Sequence, residues 1–143
     1  MHNSIYPIIG GIMLFFCSCS PASDKQEKQL QKYPNEDAPL ALLMREMFLD
    51  LEEIKGAVEK GESIKSYLER HQELLEAKPT NPQVKTPVFQ LMGEAYLESL
   101  YALEQSEPEL LKANFKTVLS TCLGCHQQYC PGPIKRIQLL EME

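Results

Sequence analysis

The residues with the most distinctive chemistry lie near the C-terminus, in the run Cys122-Leu123-Gly124-Cys125-His126. Thiols three residues apart on a helix lie one turn apart on the same face. His126 follows Cys122 by four positions and shares that face. Two thiols so placed can add to the two vinyl groups on one edge of a porphyrin. The imidazole can then turn beneath the ring and ligate iron. The pattern predicts one covalently bound heme c, with thioethers at Cys122 and Cys125 and His126 as the proximal iron ligand.

Other chemistries use similar residues. Zinc would recruit Cys122, Cys125, His126 and Cys130, but adjacent Cys125 and His126 project about 100° apart around a helix, a poor start for a tetrahedron. A thiol–disulfide redox pair belongs at the start of a helix beside a sheet, whereas this motif falls late in a helical pattern. An iron–sulfur cluster lacks its fourth thiolate. No Ser/His/Asp set, paired-carboxylate motif or phosphate-binding glycine loop is recognisable, so an enzyme is not expected. The net charge of −6 argues against a nucleic-acid partner.

The elements that must position the motif are helical. The chain has 143 residues, no Trp and only 7 Gly, a composition that favours helix. Leu40, Met44, Met47, Leu51, Ile54 and Val58 alternate steps of four and three, one seam of a helix over 39–60 that Gly61 ends. Ile64, Leu68, His71 and Leu75 predict a second helix over 63–77, with His71 a half-buried seam residue. Pro79, Pro82 and Pro87 make the next stretch a loop. Phe89, Met92, Tyr96, Leu100 and Leu103 line a third helix over 87–105. Ser106 reads as the N-cap of a fourth, with Pro108 in its first turn. That helix carries Leu111, Phe115, Val118, Cys122, Cys125 and Tyr129 on one side, until Pro131-Gly132-Pro133 stops it. Nothing alternates like a strand. The expected fold is all-α, an up-and-down four-helix bundle over residues 38–143 with heme near the end of the last helix.

The N-terminus reads as an export signal. Residues 8–16 are apolar but too short for a bilayer, which takes about 20 residues. Cys17-Ser18-Cys19-Ser20 follows, a small residue then a Cys directly after the apolar core, as at a bacterial lipoprotein cleavage site. Residues 1–18 are expected to leave as signal and Cys19 to carry lipid, although residues 1–7 contain no Lys or Arg. Residues 19–37, polar and without helical spacing, predict a flexible tether. The protein is thus expected to be exported to the periplasm and anchored to a membrane by lipid, with no Asp after Cys19 to specify which membrane. Of the five Cys, Cys130 is left over, as a small buried residue or as a free thiol able to join a homodimer.

Residues 38–130 resemble the class II cytochromes c, the family of cytochrome c prime and its low-spin relatives. The resemblance rests on the motif near the end of the last helix, on Met44, on Lys60-Gly61-Glu62 closing the first helix, and on Tyr129 three residues after His126. It implies a monoheme electron carrier with Met44 as distal iron ligand and redox proteins as partners. Met47, one turn later, is the alternative ligand. Where the family's distal position is apolar the iron is five-coordinate, so binding of nitric oxide or carbon monoxide is the second expectation. A heme-bearing docking subunit of a membrane complex is the third. The chain departs from the family at Cys130, where a basic residue is usual, at Leu40, where an Arg is usual, and in its longer Pro131-Gly132-Pro133-Ile134 tail.

Overall fold

The computed structural model describes residues 38–142, and every described element is helical. The expected signal at 1–18, the lipid site at Cys19 and the tether at 19–37 lie outside the described residues. No described helix is long and apolar enough to cross a membrane.

Helix α1, Pro39–Lys60, begins with proline at its first position, where the missing amide costs nothing. The Lys78 carbonyl, from the loop that follows the second helical segment, accepts from the Leu40 amide (3.0 Å). Gly61 ends the helix in the left-handed region (φ 67°). Its amide and that of Glu62 bond back to Val58 and Ala57, which satisfies the last carbonyls. The seam is as the spacing predicts, with Leu40, Met47, Leu51, Ile54 and Val58 buried and Met44 half-buried.

The second segment differs from the expected helix over 63–77. Residues 62–67 are not helical, and only α2, Leu68–His71, with a 3₁₀ turn at Gln72–Leu75, is wound. A side chain from elsewhere causes this. The Glu104 carboxylate accepts from the amides of Tyr67 (2.7 Å) and Leu68 (3.1 Å) and from the Ser66 hydroxyl (2.7 Å). It therefore caps a helix start at that point, and Tyr67 is buried beneath. The 3₁₀ turn tightens the spacing, so that Leu74 rather than Leu75 is fully buried. This turn lies close on the third helix because Gly93 faces it; a Cβ there would lie 2.7 Å from the Leu75 side chain.

Helix α3, Pro87–Glu104, is capped by Thr86, whose hydroxyl accepts from the Phe89 amide (3.1 Å). A 3₁₀ turn at Pro108–Leu110 leads into α4, Leu111–Tyr129. Ser106 does not cap it as predicted. Its hydroxyl donates back to the Ala102 carbonyl (2.7 Å) and accepts from Asn114 (2.6 Å), which ties the end of α3 to the start of α4. At the other end Thr86 meets Tyr129, and midway Ser99 meets Thr121. The two helices therefore run antiparallel along their length.

The tail forms an element that the spacing did not announce. After Pro131-Gly132-Pro133 the chain winds α5, Ile134–Ile137, and a 3₁₀ turn at Gln138–Leu140. Ile137 and Leu140 are buried. Arg136 stacks over Phe48 (4.3 Å), and the Lys55 ammonium donates to the carbonyls of Leu139 and Glu141 (3.2 Å each). The tail thus covers part of α1. Three long helices, α1, α3 and α4, carry the core; α2 and α5 are single-turn pieces that close it.

Candidate functional site

The last turns of α4 hold Cys122, Cys125 and His126 on a continuous helix. Cys122 and Cys125 are half-buried, packed against the core formed by Phe115, Val118 and Leu119 one and two turns earlier. Neither takes part in a disulfide. Burial, reinforced by the neighbouring Cys125, pushes the Cys122 thiol up to about 12. Burial also raises Cys125, with Cys130 adding to it. A redox or nucleophilic pair needs a lowered pKa and an exposed thiolate. These thiols are the reverse: burial keeps them protonated, and both are half-buried.

His126 is set by a backbone contact. Its Nδ1 lies 3.0 Å from the Cys130 carbonyl oxygen. A carbonyl only accepts, so Nδ1 donates, and in the neutral imidazole Nε2 is the nitrogen that carries the lone pair. The same turn is closed by the Cys130 amide bonding to the His126 carbonyl (3.0 Å). Cys130 thus contributes through its main chain, and its side chain is exposed rather than buried as the first of its two expected roles required. Tyr129 fixes the end of the helix. Its hydroxyl meets Thr86 at 2.6 Å and its ring stands edge-on to Phe89 (5.6 Å, 79°).

These features fit a covalent heme. Two unpaired cysteines share an inward helix face, and an imidazole of fixed tautomer follows them with its metal-binding nitrogen available. They fit zinc less well. Among the described residues no three His, Cys, Asp or Glu side chains are gathered as a zinc tetrahedron requires. On α1, which packs against α4, Met47 is 5% exposed and built into the core. Met44 lies at the edge of that core, half-buried. Met92 on α3 is also half-buried.

His71 is more deeply placed than its seam position predicted. It is fully buried, with both ring nitrogens engaged. Nε2 lies 2.9 Å from the Asp50 carboxylate and Nδ1 lies 2.8 Å from the Tyr96 hydroxyl. The other Asp50 oxygen accepts from Arg70 (2.8 Å). The spacing of apolar residues assigns Asp50 no role. Asp50 carried a signal: it stands three residues after Met47 and four before Ile54, an acid on the apolar side of α1. Tyr96 was recognised as a core residue, but its hydroxyl was given no partner. Comparison with protein-family models, with curated proteins and with solved structures returned no match.

Proposed function

We propose that this chain is an exported monoheme c-type cytochrome that transfers electrons. Cys122 and Cys125 would hold heme c covalently, and His126 and Met44 would be the protein ligands of its iron. The observation that carries this reading is the hydrogen bond from His126 Nδ1 to the Cys130 carbonyl, on a helix face that also presents two unpaired, partly buried cysteines. When bound, the heme supplies a one-electron ferric/ferrous couple. Cys122 and Cys125 would fix its edge to α4, and the carbonyl of Cys130 holds the orientation of the His126 ring. Met44, at the margin of the core, is freer to turn toward a metal than Met47, which packing already holds. A thioether opposite an imidazole raises the potential and closes the iron to small ligands, as electron transfer requires.

In this reading the fold is an up-and-down bundle related to the class II cytochromes c, with the second helix shortened to α2 and its 3₁₀ turn and with α5 added. Lipid on Cys19 holds the domain at a periplasmic membrane surface. The acidic surface steers basic redox proteins, an effect that weakens with salt. The test is expression in a host with heme-maturation machinery. The heme should resist acid–acetone extraction, and its reduced pyridine complex should show the c-type band. A colourless, zinc-loaded product would overturn the proposal. A ferric protein that is high-spin, and whose ferrous form takes up carbon monoxide at neutral pH, would move the function from electron transfer to gas binding. Palmitate-analogue labelling that survives Cys19→Ala would overturn the lipid site.

A further inference from the structure

The cluster formed by Asp50, His71 and Tyr96 lies outside the heme-binding motif, yet it borders it. Tyr96 lies within electrostatic reach of the Cys122 sulfur, and one turn along α3 Ser99 meets Thr121, the residue before Cys122, at 3.4 Å. We infer that Asp50, His71 and Tyr96 form a buried proton-binding site coupled to the electron at the Cys122–His126 motif, an inference that rests on the heme reading. His71 takes one proton from solvent when the bound group accepts one electron from a one-electron donor, and returns it on reoxidation.

The hydrogen bonds define both protonation states. Asp50 accepts, so Nε2 carries hydrogen in each. In the neutral imidazole Nδ1 must then accept from the Tyr96 hydroxyl, which burial keeps protonated. In the imidazolium Nδ1–H donates to the Tyr96 oxygen, and the tyrosine hydrogen turns away. Tyr96 can serve either state because a hydroxyl both donates and accepts. The surrounding charges leave the site poised. Burial pulls the His71 pKa down, Asp50 on α1 and Glu104 on α3 push it up, and Arg70 beside it on α2 pulls it down. Tyr67 lies ring to ring with it at 6.0 Å, and Cys122 of α4 acts electrostatically on Tyr96. An electron added nearby in a weakly polarisable interior makes the local potential more negative, which raises the proton affinity of a base.

The sequence makes the site observable, because it contains only 3 His. His2 belongs to the expected signal and His126 to the iron. Histidine-labelled holoprotein should show the His71 ring nitrogens titrating at a higher pH in the dithionite-reduced state than in the ferric state. The midpoint potential should fall with rising pH between those two values. His71→Gln should flatten that slope while heme content by the pyridine assay stays unchanged, and Asp50→Asn should shift both titrations to lower pH. An identical His71 titration in the two redox states, or a slope that survives His71→Gln, overturns the inference and leaves the heme reading standing. A chain that carries no heme overturns both. Should the variants fail to fold, the wild-type ring titration decides alone.

Discussion

The Cys122–Cys130 segment and the Asp50–His71–Tyr96 cluster neighbour one another and are built in opposite ways. The first is local. Its thiols and its imidazole come from the last turns of α4, and the carbonyl that orients the imidazole comes from Cys130, the residue that ends that helix. The second draws one side chain each from α1, α2 and α3, all three buried and joined by hydrogen bonds through His71. Chemistry encoded locally can be removed without undoing the fold. Chemistry assembled from distant elements is part of the fold's stability. The largest effect expected from this contrast is on the local side. Cys122→Ala with Cys125→Ala should abolish covalent heme, read as loss of the c-type band, while far-UV circular dichroism keeps its helical signature. Unfolding of the double variant would break the contrast, because the anchor points would then be structural.

The next effect falls on the assembled side. Asp50→Ala removes the carboxylate that accepts from both His71 and Arg70. The buried His71 Nε2–H then loses its acceptor, which costs about 1–3 kcal/mol, whereas Arg70, 46% exposed, turns to water. Urea denaturation should show a loss of that size, and heme attachment should persist wherever the variant folds. A change under 1 kcal/mol would show that water replaces the carboxylate readily and that the cluster is not bound up with stability.

The same contrast explains what could be read beforehand. The Cys122–His126 run stands out in the sequence because its residues are contiguous, and the structure keeps that run on one helix. Helices α1, α3 and α4 were legible because apolar residues at steps of three and four make a seam wherever the rest of the chain goes. The region 63–77 was not, since Glu104, distant in sequence, takes the amides of Tyr67 and Leu68 and starts the helix late. The tail was missed because Pro131 and Pro133 stop α4 without preventing a new turn, and the burial of Ile137 and Leu140 against the bundle depends on tertiary packing. Ser106 looked like a cap by residue type, yet its hydroxyl bonds Ala102 and Asn114 instead. Asp50 and Tyr96 reveal a role only when three elements are assembled.

Met44 and Met47 transfer the comparison to a single helix. Met47 is committed to packing and Met44 lies at its margin. Truncating a buried methionine costs about 2–5 kcal/mol. Met47→Ala should therefore lower stability by an amount in that range and leave the visible spectrum nearly unchanged. Met44→Ala should cost less stability, lower the potential and admit carbon monoxide to the ferrous protein. The reverse assignment of these two phenotypes would show that the distal ligand sits one turn later on α1. Loss of stability without spectral change in both would leave the iron five-coordinate.

The smallest expected effect is a pH dependence of stability from His71, and its sign follows from the shift. Burial, the largest cause, lowers the folded-state pKa, while Asp50 opposes it. In the unfolded chain the imidazole returns to its ordinary value of about 6.5. As pH falls below that value the unfolded chain binds a proton that the folded protein does not, so stability drops with decreasing pH until the lowered folded-state pKa is passed. Above the ordinary value the contribution is full and constant. Urea midpoints of the ferric holoprotein, measured across this range and compared with His71→Gln, isolate the effect, because other groups titrate alike in both proteins. The difference between wild type and variant should grow as pH rises toward neutrality and then level off. A difference that grows as pH falls would mean that the Asp50 carboxylate outweighs burial. The folded ferric protein would then hold His71 as imidazolium near neutral pH, leaving it no proton to gain on reduction there.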